Sequence, residues 1–131
     1  MAAITNIFTD TISISYSGNG KTVSTKTGTY TGTHDAGVAL VVPAGSVDLL
    51  VAIEFPVAGI QSLVMAASED VTVKTNAISP PADSFTVKKT AGVVWGSDYH
   101  NVCPFGTNVT AFYVSNAGVT DAKFDFRVLY N

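Results

Sequence analysis

Phe124-Asp125-Phe126-Arg127-Val128-Leu129-Tyr130 decides the fold of this chain. Along an extended backbone Phe124, Phe126, Val128 and Tyr130 point one way, while Asp125 and Arg127 point the other. That alternation has the period of a half-buried β-strand, whereas an amphipathic helix repeats its apolar residues every three to four positions. Composition carries the reading to the whole chain. Eighteen valines and sixteen threonines stand against five leucines and two glutamates. β-branched side chains lose χ1 freedom in a helix and pack well on a pleated surface, so the chain lacks the usual material for helices.

Working outward from that stretch, strand-like segments follow one another between turn signals. Ile12, Ile14 and Tyr16 alternate with Thr11, Ser13 and Ser15, and Gly18-Asn19-Gly20 then reads as a hairpin turn. The return strand, Lys21 to Thr33, is almost entirely Thr, Ser and Gly, with only Val23 and Tyr30 apolar. It has β propensity and little to bury. Val38 to Val42 and Val47 to Phe55 are near-continuous apolar runs, as expected of strands covered on both faces. Ile60 to Ala67 fits strand or helix by period alone, and its shortness and context favour strand. Val71 to Thr75 alternates and ends before Ser79-Pro80-Pro81-Ala82. Phe85 to Lys88, Val93 to Trp95 and Val109 to Ser115 complete the set, with an irregular loop from Gly96 to Asn108. About ten strands with frequent turns predict an all-β fold, a single antiparallel β-sandwich of jelly-roll type.

One domain suits 131 residues, enough for a core without staples. Charged residues make up 13% of the chain, about half the share usual in soluble domains, so Thr, Ser, Asn and Gly must supply the polar surface. A net charge of −3 and scattered lysines give no basis for binding nucleic acid. Cys103 is alone, which excludes an internal disulfide. The start of the sequence shows no basic-then-apolar signal pattern. The most apolar region is interrupted by Pro43, Asp48, Glu54 and Pro56, which argues against a membrane-spanning helix. Synthesis in a reducing cytoplasm is the expectation.

Motifs that would carry chemistry are incomplete. Gly18-Asn19-Gly20-Lys21-Thr22 ends like a phosphate-binding loop, but Ser15 stands where the first glycine belongs and a strand follows instead of a helix. His100 and Cys103, with Asp98 nearby, fall short of the three or four ligands of a zinc site, and Cys103 reads as a small buried hydrophobe. Glu69-Asp70 reads as a turn, and Glu54 as an outward-pointing residue. No catalytic residue, metal ligand or cofactor is expected, and the chain is read as not an enzyme. The richest loop holds Trp95, Asp98, Tyr99, His100, Asn101 and Phe105, flat faces beside polar arms of the kind that grip sugars or proteins. The simpler reading has Trp95 plugging one end of the core, with Tyr99 and Phe105 covering it.

Asp70-Val71-Thr72-Val73-Lys74-Thr75-Asn76, Val93-Val94-Trp95, Asn108 through Asn116, and Phe124 through Leu129 together resemble the small β-sandwich virion proteins of tailed bacteriophages, especially head decoration or cement proteins. The likeness covers the character of residues 60–131 and transfers no functional residue. It implies a non-enzymatic virion protein that binds in many copies to the major capsid protein, as a homo-oligomer, often a trimer, with tail components of such phages sharing the same texture. On the residues themselves, 1–10 could extend as an arm that adds a strand to a neighbour, with Ile4, Ile7 and Phe8 as anchors. The alternative is a carbohydrate-binding module using the Trp95–Phe105 loop.

Overall fold

The computed structural model describes residues 7–18 and 20–131, with the backbone alone for residues 14–18 and 21–26. The described residues form ten strands and no helix: β1 (Phe8–Gly18), β2 (Lys21–Gly32), β3 (His34–Val42), β4 (Leu49–Val51), β5 (Ile60–Ala67), β6 (Val71–Thr75), β7 (Ser84–Val87), β8 (Val93–Gly96), β9 (Phe112–Ser115) and β10 (Ala122–Tyr130). Each segment read as a strand from the sequence holds one of them, including the ambiguous Ile60 to Ala67.

Strand β10 is the keystone because its two faces differ so sharply. Ala122, Phe124, Phe126 and Val128 are buried, and Lys123, Asp125 and Arg127 are exposed. It pairs antiparallel with β3 on one side and β5 on the other, and β8 completes a sheet of order β3-β10-β5-β8. The second sheet has the order β4-β9-β6-β7. From β3 onward each connection crosses between sheets, except the β6–β7 hairpin. Two four-stranded antiparallel sheets wound in this order make a jelly roll.

Between the sheets, Phe126 and Val128 meet Leu63 and Met65 of β5, Val71 and Val73 of β6, and Phe112 and Val114 of β9, all at most 1% exposed. The Phe126 ring centroid lies 5.2 Å from Phe112, 5.4 Å from Phe55 and 6.1 Å from Phe105. Close aromatic pairs of this kind add about 0.5–1.5 kcal/mol each beyond area burial. Two of the rings come from outside the strands. Phe55 is held by a bridge to Val109, and Phe105 folds back from the loop after β8.

The apolar runs Val38 to Val42 and Val47 to Phe55 depart from expectation, since each is covered on one face only. Val42, Val51 and Phe55 are buried, while Val41, Val47 and Leu50 are 50%, 79% and 61% exposed. β3 and β4 are edge strands of their sheets, and an antiparallel sandwich has no outer layer to cover them. Glu54 points outward, as expected.

The first two strands stand apart as a ribbon of their own, paired from Phe8↔Gly32 to Gly18↔Lys21. That register leaves two residues between the paired strand ends Gly18 and Lys21, and Gly20, the described one of them, takes the positive φ of 72° that tight turns favour. Phe8, Thr9 and Asp10 already belong to β1. Within the expected arm of residues 1–10, Phe8, Thr9 and Asp10 instead pair with Gly32, Thr31 and Tyr30, and residues 1–6 lie outside the described residues.

Candidate functional site

The base of the ribbon is fastened to the outer face of the β3-β10-β5-β8 sheet, and Tyr30 is the fastener. By register, this outer face presents Gly37, Ala39 and Val41 from β3, Lys123, Asp125, Arg127 and Leu129 from β10, Ser62, Val64 and Ala66 from β5, and Val94 and Gly96 from β8. Leu129 and Ser62 are fully covered although they face away from the core. The ribbon supplies the cover. Tyr30 is 6% exposed, and its ring lies so close to Gly96 that a Cβ there would come within 2.4 Å of Cζ. Gly32 is equally constrained, since a Cβ would sit 2.9 Å from the Leu129 Cγ. The Tyr30 hydroxyl donates to Asp98 Oδ1 at 2.5 Å. Burial first, and then that bond to Asp98, pushes the Tyr30 phenol up to about 12.

Beside the ribbon the outer face stays open. A groove of about 320 Å³ runs along β1, lined by Asp10 and Ile12 from the ribbon, Val64 and Ala66 from β5, and Asp125 and Arg127 from β10. Its floor consists of small or apolar side chains, and its walls carry two carboxylates. Asp10 Oδ2 accepts weakly from the Ser62 hydroxyl at 3.5 Å, and Arg127 pairs with Asp35 at 2.9 Å. Among the described residues neither Asp10 nor Asp125 has a cationic partner.

The residues picked out in the Trp95–Phe105 loop have different placements. Trp95 pairs with the inward-facing Leu63, packs partly buried against the core, and donates its indole N–H to the Asn101 carbonyl at 2.8 Å. Its ring is thus turned toward the sandwich, with its polar atom already satisfied. Asp98 is exposed and engaged by Tyr30, Tyr99 is half-buried, and His100 is exposed. Phe105 fills the core. Cys103 is half-buried against the same cluster, and burial pushes its thiol up, which lowers its thiolate fraction. His100 and Cys103 gather no further ligands, and the described residues contain no cluster of three His, Cys, Asp or Glu suited to a metal.

Of the proposed arm anchors, Ile4 lies outside the described residues, Ile7 is 69% exposed, and Phe8 is half-buried at the foot of the ribbon. Glu69 and Asp70 face Lys89 and Lys88 across the β6–β7 pair at 3.5 and 3.4 Å. The Lys89 backbone N–H, ahead of Lys88 itself, holds the Asp70 carboxyl below its usual range. This is a surface charge network joining two strand ends. Lys21, the lysine of the phosphate-loop look-alike, opens strand β2.

Sequence reasoning missed the ribbon groove. Tyr30, flanked by Gly28 and Gly32 in an otherwise polar strand, was the available signal: a lone large ring between glycines marks a close approach to another layer. Asp10, Val64, Ala66 and Asp125 carry no local signal, because only the β5–β10 pairing and the ribbon bring them together. No protein-family model, curated protein or solved structure matches the chain.

Proposed function

We propose that this protein is a non-enzymatic virion component that decorates a bacteriophage head and reinforces it by multivalent protein–protein contact. Its partner in this reading is the major capsid protein, and it acts as a homo-oligomer made in the host cytoplasm and carried on the particle. One observation carries the proposal: a rigid jelly-roll body bears a two-stranded ribbon whose outer edges have no strand partner among the described residues. Open edges of this kind present unpaired N–H and C=O groups that favour strand addition.

The character of the surface supports the same reading. Only 13% of residues are charged, and large apolar side chains such as Val47, Leu50 and Val119 are exposed. Many copies crowded on one shell would repel if each carried a high charge, and weakly charged surfaces avoid that cost. Exposed apolar residues add contact area where subunits meet.

The test is direct. Purified protein is mixed with undecorated phage heads, the heads are pelleted, and bound copies and head heat resistance are measured. Saturable binding in many copies per head, with a raised disruption temperature, is expected. Heads that bind nothing at saturating protein, alongside specific capture on a glycan array, would replace this reading with the carbohydrate-binding one.

A further inference from the structure

We infer that the groove beside β1 receives the distal half of the β1–β2 ribbon from a second copy of this chain. This names a partner within the adhesive role proposed above, and so rests on that reading. The first argument is the ribbon itself. Its base is seated by Tyr30 and Gly32, but residues 13–27 form an isolated two-stranded hairpin beyond that seat. Ser13 and Thr27, the first pair past the base, are exposed and bond to each other at 3.2 Å. A two-stranded hairpin without a third strand or a covering layer is marginal in water, so the distal half gains from docking.

The second argument is charge. Residues 13–27 include Lys21 and Lys26 and no Asp or Glu, whereas the other residues hold all ten acidic groups and five basic ones. Four of those five, Lys74, Lys88, Lys89 and Arg127, are already paired with carboxylates. The segment is thus cationic by sequence, while the remainder has surplus carboxylates. Asp10 and Asp125 line the groove without a cationic partner among the described residues, the groove's Arg127 being paired with Asp35. The third argument is shape. From Ser13 to Gly18 the ribbon spans about 20 Å. Gly37, Ala39 and Ala66 leave the outer face flat enough for another strand layer. The unpartnered edge of β1 offers that layer backbone hydrogen bonds, and Ile12 and Val64 offer it apolar contact.

Such a contact joins unlike surfaces, ribbon to groove, and this is what the experiment exploits. One variant replaces residues 13–27 by Asn-Gly, closing the hairpin between Ile12 and Gly28, which are paired in the register. The other, Ala66→Arg, keeps the ribbon and blocks the groove with a bulky cation at an exposed position. Sedimentation velocity should show self-association of the full chain, a monomer for each variant alone, and a one-to-one complex when the two are mixed. As a check independent of the deletion, Lys21→Glu with Lys26→Glu should weaken association about tenfold or more, and adding Asp125→Lys should restore it.

A full chain that stays monomeric up to about 100 µM would overturn the inference. So would a shortened or blocked variant that assembles like the parent, or a mixture that never pairs. Failure to bind phage heads with this self-association intact removes the decoration role alone. Head binding with association unaffected by either change removes the ribbon contact alone.

Discussion

Replacing Gly96 by alanine tests whether Tyr30 holds the ribbon to the body. The added Cβ would lie 2.4 Å from both Cζ and the hydroxyl oxygen of Tyr30, far inside van der Waals contact. These are atoms of a rigid, buried ring and its tip, held between Gly96 and Asp98, so the ring must leave. Losing its burial costs about 1.5–3 kcal/mol, and losing the hydrogen bond to the Asp98 carboxylate about 1.5–3 more. The exposed end of that bond argues for the lower values, giving about 3–4 kcal/mol in total. Urea unfolding followed by far-UV circular dichroism measures it, and a double-mutant cycle assigns it. In a Tyr30→Ala background the obstructing ring is gone, so Gly96→Ala should cost less than about 0.5 kcal/mol. Equal costs in both backgrounds would refute the reasoning, because the strain would then come from the sheet and not from the tyrosine.

Other consequences follow from the same geometry. Tyr30 is neutral in the fold up to about 12, against about 10 when unfolded, so its contribution to stability is complete below pH 10 and lost as pH rises from there through 12. Stability measured across that window should fall less steeply in Tyr30→Phe, and absorbance at 295 nm should show one late-titrating tyrosine disappear. Asn116→Ala should cost about 2–4 kcal/mol in urea unfolding. The buried Asn116 amide donates to the carbonyls of Val42 and Thr120 and accepts from the Gly118 N–H, so alanine removes three hydrogen bonds at once, one of them fully buried. Phe126→Ala, at the centre of the aromatic cluster, should cost about 3–5 kcal/mol by the same measurement. Cys103 should react with a thiol reagent at pH 8 more slowly than the unfolded chain does, because burial raises its thiol.

The strands were legible for a specific reason. Alternation in β10 and β6, and the turn glycines around β1 and β2, are local signals that fix a two-residue period without reference to the rest of the molecule. Coverage is not local. Val41 and Val42 are adjacent in one apolar run, yet Val42 is fully buried and Val41 is half exposed. Nothing in the run marks β3 as an edge strand. Only its pairing to β10 alone, with no strand beyond it, leaves that outer face bare. The Trp95 loop shows the converse. Its mixture of aromatic and polar residues suits a ligand platform as well as a core lid, and the difference lies in the β5–β8 register that sets Trp95 opposite Leu63.

The polar strand β2 makes sense only once the ribbon is seen. A strand of Thr, Ser and Gly with one tyrosine is poor material for a sandwich layer, since it would bury hydroxyls and leave little apolar area for the core. As one edge of a ribbon it has different requirements. Threonine holds the extended backbone while tolerating water on both faces, Gly32 lets the base lie close on the sheet, and Gly28 leaves room for the Tyr30 ring. Tyr30 then supplies in one side chain the burial that the rest of the strand lacks. The ribbon is therefore anchored at its base, by Tyr30, Gly32 and the Asp10–Ser62 bond, and its sequence beyond that base is mostly Thr, Ser and Gly. A strand selected to complete its own core would have carried Val or Ile where β2 carries Thr25, Thr27 and Thr29.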